Sequence, residues 1–181
     1  QIMAVTGANG SGKSTLVRIL AGVLTPTRGN VSLQSNGAEV HHDDRARSVA
    51  LVAPYLQLYD GLTLEENLRF VSRVRASAYR GSAVGDLMTR VSLGDRGHDL
   101  VGTFSSGMKQ RARFAVALAA GSDLLLLDEP SSNLDAVGVD MVRDIIKSEV
   151  ASGTAVILAT NSPQEVEWCE SSLRIEDFLR R

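Results

Sequence analysis

The sequence predicts an α/β fold built on a mostly parallel sheet, with a small antiparallel β piece and a helical insert. Three observations lead there. The apolar run Ile2-Met3-Ala4-Val5 passes straight into the glycine-rich segment from Gly7 to Ser14, and a helical pattern follows. Leu124 to Leu127 and Thr154 to Ala159 are apolar on both faces, as central parallel strands require. Between those two runs Met141, Val142, Ile145 and Ile146 supply the stripe of a crossover helix, which gives a right-handed βαβ unit.

The elements follow in order. After the first strand, Gly7-Ala8-Asn9-Gly10-Ser11-Gly12-Lys13-Ser14 spell the full pattern G-x-x-x-x-G-K-[ST]. Glycines let the backbone curl around an anion with its N–H groups inward, Lys13 adds positive charge against outer phosphates, and Ser14 offers a hydroxyl to Mg²⁺. The helix that begins there, with Thr15 just inside it, points its positive end at the same spot. Residues 7–15 are therefore expected to hold a nucleoside triphosphate, and Leu16, Ile19, Leu20 and Val23 to form the helix's buried stripe, which ends at Thr25-Pro26-Thr27-Arg28-Gly29. Val31-Ser32-Leu33 and Ala38-Glu39-Val40 flank Asn36-Gly37, a hairpin signature. His41-His42-Asp43-Asp44-Arg45 reads as a solvated loop and not a metal cluster, because adjacent side chains face opposite ways and no further ligand spacing supports one. Ser48 to Val52 is the next strand, ended by Pro54.

From Thr63 the period is helical: Thr63-Leu64-Glu65-Glu66 forms a capping box, Leu64, Leu68 and Val71 share a face, and Val84 to Val91 is a second helix. Residues 61–104 are expected to form a helical subdomain on a core made of 1–60 and 105–181, all within one domain. A second capping box, Ser162-Pro163-Gln164-Glu165, opens a short helix with proline at its first position. The chain opens at Gln1, one residue ahead of the first strand, and reads as truncated, with an edge strand and any base-stacking aromatic expected upstream.

Bulk properties exclude several classes. The 181 residues are 44% hydrophobic and 22% charged with net charge −2, so nothing in the composition draws the chain to nucleic acid or to an anionic membrane. The lone Cys169 can form no internal disulfide and reads as packing. Trp168 and Tyr55 read as half-buried packing, with contact to a partner as the alternative. No signal peptide and no apolar window long enough to span a bilayer is present, so a cytoplasmic setting is expected.

Asp128 and Glu129 end the buried run Leu124 to Leu127 and precede Pro130. A carboxylate there can hold Mg²⁺ through its waters, and its neighbour can orient and deprotonate an attacking water. Ser105-Ser106-Gly107 opens a helix running to about Ala120, a second helix N-terminus able to meet phosphate, although the same residues make a good N-cap.

The order of these features, from phosphate loop and helical insert through Phe104-Ser105-Ser106-Gly107-Met108-Lys109-Gln110-Arg111 and Leu124 to Pro130 to Ser132-Asn133-Leu134-Asp135, resembles the ATP-binding subunits of ABC transporters, within the P-loop NTPase superfamily. The resemblance covers essentially the whole chain. It implies an ATP hydrolase in which two chains, as a homodimer or a heterodimer with a second ATP-binding subunit, sandwich two ATP molecules and drive a separate transmembrane permease from the inner face of the membrane. Lys13 and the loop amides would hold phosphates, Ser14 and Asp128 the Mg²⁺, and Glu129 would be the general base. Ser105, Ser106 and Gly107 would face the ATP of the other subunit, and Asp135 would couple the two sites.

Departures from the family pattern are specific. Ser106 and Met108 replace a glycine and a glutamine of the L-S-G-G-Q signature. Pro54 stands where the family has a Mg²⁺-sensing glutamine, and Gln57, three residues on, either takes that place or leaves it unfilled. Asn161 stands at the switch position of a histidine that contacts the γ-phosphate; it donates a hydrogen bond but carries no proton charge. Two further readings accompany the transport one: a soluble ATPase of the same superfamily not tied to transport, and an assembly module gated by ATP with weak turnover.

Overall fold

The structure, a computed structural model, describes residues 1–35, 37–41, 44–75 and 84–178. Strand β1 (Ile2–Thr6) leads through the glycine-rich loop into helix α1 (Lys13–Leu20). A small hairpin of β2 (Gln34–Ser35) and β3 (Ala38–Glu39) follows, then the short helix α2 (Arg45–Ser48) and strand β4 (Val49–Val52). Helices α3 (Leu64–Val74), α4 (Val84–Arg90) and α5 (Ser106–Ala120) come next. The chain closes with β5 (Leu124–Asp128), α6 (Ala136–Ala151), β6 (Ala155–Ala159), α7 (Pro163–Val166) and β7 (Ser171–Arg174).

Contacts among these residues divide the chain into two units. The first, residues 1–51, 122–129 and 149–181, contains all but Val52 of the five-stranded sheet, whose order is β4-β5-β6-β1-β7. The pairs β5/β6, β6/β1 and β1/β7 are parallel, with Asp128 opposite Ala159, Val5 opposite Ala159 and Thr6 opposite Arg174. This register brings the carboxyl ends of four strands to one edge, where ligands of open α/β sheets collect. The core beneath is Val5, Val17, Val49, Leu124, Leu126 and Ala159, with Leu16, Leu20 and Leu173 packed on it. Full burial of each large aliphatic side chain is worth roughly 1.5–3 kcal/mol. All of β5 is buried, as its both-faced apolar run predicts.

The second unit, residues 52–121 and 130–148, holds α3, α4 and α5. It takes in more than residues 61–104, because α3 and α4 both pack on α5. The Thr63 capping box forms in full: Thr63 Oγ1 accepts from Glu66 N–H, and the Glu66 carboxylate accepts from Thr63 N–H at 2.8 Å. Asn67, buried, anchors the preceding turn by accepting from Tyr59 N–H at 3.0 Å and donating to the Tyr59 and Thr63 carbonyls.

Four local expectations are corrected. Helix α1 stops at Leu20 in a Schellman arrangement, Gly22 N–H donating to Ile19 and Val23 N–H to Arg18, so Val23 is exposed and Val17 takes its place in the stripe. The hairpin's first strand is Gln34–Ser35, not Val31 to Leu33, although a Val40-to-Leu33 bond extends the ladder. Arg45 begins helix α2, whereas His42 and Asp43 lie outside the described residues. At α7 the Ser162 hydroxyl makes no capping bond; Ser162 N–H instead donates to Thr160 Oγ1, and Pro163 occupies the first turn as expected.

Candidate functional site

The loop between β1 and α1 is shaped by close approach. Gly7 sits at φ 149°, and a Cβ there would lie 2.7 Å from Glu176 Oε2, Ile175 Cγ2 and Ser11 Oγ, so only glycine fits. Gly10 and Gly12 also take positive φ, and Gly12 is the N-cap of α1. Lys13 is 5% exposed, and its ammonium donates to the carbonyls of Gly7 at 2.8 Å and Ala8 at 3.0 Å. Two of its three protons are thus held across the loop, and one remains for an anion. Ser14 and Thr15 follow in the first turn of α1, where unpaired helix N–H groups and the dipole favour negative charge. The loop residues of the sequence reading, 7–15, are contiguous in one cradle.

Helix α1 packs against β5, whose carboxyl end carries the acids. Asp128 is 2% exposed, and its Oδ1 has no hydrogen-bond partner among the described residues. A buried carboxylate oxygen left so is costly without a cation or donor. Hard carboxylate and hydroxyl oxygens fit Mg²⁺, which keeps several of its waters; Asp128 and Ser14 are the residues that would hold it. Among the described residues no cluster of three or more His, Cys, Asp or Glu side chains could hold a metal. Glu129 turns out of the strand at φ 47°, a left-handed conformation that is rare for a side-chain-bearing residue. Its N–H donates to Ala159 at 2.9 Å, which continues the β5/β6 ladder by one bond and leaves the carboxylate exposed at the sheet edge.

Asn161 follows β6. Thr160 N–H is tied to Val5, and Asn161 Nδ2 donates to Asn9 Oδ1 of the phosphate loop. The loop, both acids and Asn161 therefore belong to one unit and one edge of its sheet.

In the second unit Ser105 is the N-cap of α5, its Oγ accepting from Met108 N–H at 3.2 Å while the hydroxyl proton stays available. Ser105 and Ser106 are exposed. A Cβ on Gly107 would lie 3.0 Å from the Asn133 carbonyl, so this position has little room for a side chain, whereas Ser106 is exposed. Asp135 accepts from Gly138 N–H at 2.8 Å and pairs with Arg111 at 2.9 Å. The Gly138 bond first, then the Arg111 charge, holds its carboxyl below the usual carboxylate range. Ser105, Gly107, Arg111 and Asp135 line an open cleft of about 540 Å³. Gln57 is exposed after β4, where the Leu56 carbonyl is held by Arg113 Nε at 2.7 Å. Arg113 in turn donates to Gln110, a fully buried amide that caps the Pro130 carbonyl at 2.9 Å.

Cys169 is half-buried, and burial first, then Glu165 and Glu170, pushes its thiol up to about 11, which suits packing and not nucleophilic attack. Sequence reasoning missed Glu176, whose carboxylate accepts the Ala8 N–H at 2.5 Å. The one available signal was the pairing of β7 with β1, which the polar segment Ser171 to Arg174 does not advertise.

Known proteins resemble this chain along most of its length. Residues 1–132 match the family described as ABC transporter. The chain is 34% identical over 179 residues to the uncharacterized ABC transporter ATP-binding protein YybJ of Bacillus subtilis (strain 168), covering 96% of this chain and 79% of that protein. It is 30% identical over 181 residues to the daunorubicin/doxorubicin resistance ATP-binding protein DrrA of Streptomyces peucetius, covering 99% of this chain and 55% of the other. The chain thus spans between about half and four-fifths of these two relatives. A solved ATP-binding subunit of an ABC transporter superposes with a TM-score of 0.84 at 27% identity, over 96% of this chain and 74% of its own.

Proposed function

Because this chain belongs to the ABC transporter family, whose ATP-binding domains are ATP hydrolases, we propose that it binds Mg·ATP at the 7–15 loop and hydrolyses it to energise a separate membrane-spanning partner. The observation that carries the reading is the shared sheet edge: the Lys13 cradle, the buried unpaired Asp128 oxygen and the outward-turned Glu129 all stand there. Among the described residues no helix is long and apolar enough to cross a membrane.

Mg²⁺, when bound, would neutralise phosphate charge. The chain's own residues do the rest. Loop N–H groups and Lys13 orient the phosphates, Ser14 and Asp128 would hold the ion, and Glu129 takes the proton of the attacking water. Asn161, tied to Asn9, donates a hydrogen bond beside the loop. The α5 N-terminus, with Ser105, Ser106 and Gly107, faces the nucleotide of a second ATP-binding subunit, and Asp135 couples the two sites. Names of relatives support a transport role: one is a drug-resistance ATP-binding protein, another a lantibiotic transport ATP-binding protein.

The testing experiment is steady-state phosphate release from Mg·ATP by the chain, alone and with a polytopic membrane protein encoded beside it. Release that rises with that protein is expected; no release in either condition overturns the reading. A second reading, ATP-gated assembly with weak turnover, draws on Asn161, which cannot carry a proton charge. Asn161→His is accordingly expected to raise turnover or to add a pH limb with an apparent pKa near about 6.5, measured as kcat against pH. A variant that changes neither removes Asn161 from the neighbourhood of the γ-phosphate.

A further inference from the structure

Strands β1 and β7 run parallel with Thr6 opposite Arg174, so the residues two past each strand end, Ala8 and Glu176, arrive side by side. Glu176 lies in the helical turn Ile175–Phe178, and its Oε1 accepts the Ala8 N–H at 2.5 Å. The peptide that carries this N–H is the one whose carbonyl, Gly7 O, accepts the Lys13 ammonium at 2.8 Å. One peptide group is therefore held at both ends by opposite charges, carboxylate on its N–H and ammonium on its C=O. Such charge-assisted bonds are roughly twice as strong as neutral ones and fix the plane of the group between them. Gly7 makes the approach possible, since a Cβ there would lie 2.7 Å from the other Glu176 oxygen. Arg174 Nε stands 3.5 Å from that oxygen and offsets part of the negative charge near the anion cradle. The Ala8 N–H first, then Glu176's own N–H and Arg174, holds the carboxyl below the usual range, so it is ionised at neutral pH.

We propose that Glu176 is a positioning residue of the phosphate loop: by fixing the Gly7–Ala8 peptide through the Ala8 N–H, it aims that peptide's carbonyl at Lys13 and holds the ammonium ready for the outer phosphates. It acts through Lys13. The proposal rests on the ATP-binding reading of the loop. It also means that the Ala8 N–H is already used and that phosphate contacts fall to the amides after it.

The experiment is a double-mutant cycle on Mg·ATP affinity, read by displacement of a fluorescent ATP analogue from the full chain. Glu176→Ala is expected to weaken binding about tenfold, as for loss of one charged hydrogen bond, and Glu176→Gln, which keeps an acceptor of the same reach, only about threefold. In a Lys13→Ala background both changes are expected to cost less than about twofold, because the group they position is gone. Equal losses in the two backgrounds assign Glu176 a merely structural role and overturn the proposal. So does unchanged or tighter binding in Glu176→Ala, the latter making the carboxylate a competitor of phosphate. Should Glu176→Ala fail to fold, the Gln variant carries the same cycle with the same overturning result. A parent chain that binds no Mg·ATP overturns the nucleotide reading itself, and this inference with it.

Discussion

Lys13→Ala is expected to weaken Mg·ATP binding by about 2–3 kcal/mol, the worth of hydrogen bonds to a charged group, which is roughly 30- to 150-fold in Kd. The size follows from the side chain's position. Lys13 is buried to 5% exposure, bound to two loop carbonyls, and supplies the cradle's side-chain positive charge with one donor unspent. An ammonium already ordered loses little further entropy when a phosphate arrives, so its contribution appears as affinity. The replacement also leaves the Gly7 and Ala8 carbonyls without their donor, which loosens the loop. Calorimetric titration reads the change, with circular dichroism to show the fold retained. Unchanged affinity in a folded variant removes the 7–15 loop as the nucleotide site.

How far the sequence disclosed this site depends on how local each signal is. The phosphate loop was legible because its chemistry lies in eight consecutive residues and its context, a strand before and a helix after, is written beside it. Strands β5 and β6 were legible because central parallel strands are apolar on both faces, and α3 because Thr63 and Glu66 form a reciprocal cap within four residues. Edge strand β7 was not, since Ser171-Ser172-Leu173-Arg174 pairs on one side only and stays largely exposed. With β7 unseen, Glu176 had nothing to place it beside Ala8, 168 residues away. At the end of α1 two stop signals compete: Thr25-Pro26 is the louder in sequence, but Gly22 closes the helix a turn earlier. Gln110 shows the same limit, a fully buried amide whose partners on Pro130 and Arg113 only the folded chain brings to it.

Glu129→Gln is expected to lower hydrolysis by about 10²–10⁴-fold, the usual range for removal of a general base, while Mg·ATP binding persists. The substitution keeps the side chain's length and the backbone bond to Ala159, so the left-handed turn at φ 47° stays in place and only the proton acceptor is lost. Asp128, one residue earlier and buried, is untouched by the change, so the proposed Mg²⁺ ligand and the proposed base are tested apart. If the α5 N-terminus of a second chain closes over the same ATP, the uncleaved nucleotide bridges Lys13 of one chain and Ser105 of the other. Ligand held at a shared interface then stabilises the assembly by mass action. Light scattering of the Glu129→Gln protein is therefore expected to show a dimer in Mg·ATP and a monomer in Mg·ADP. Full phosphate release by the variant eliminates Glu129 as the base, and a monomer in both nucleotides, with binding intact, eliminates dimerisation on ATP for the subunit alone.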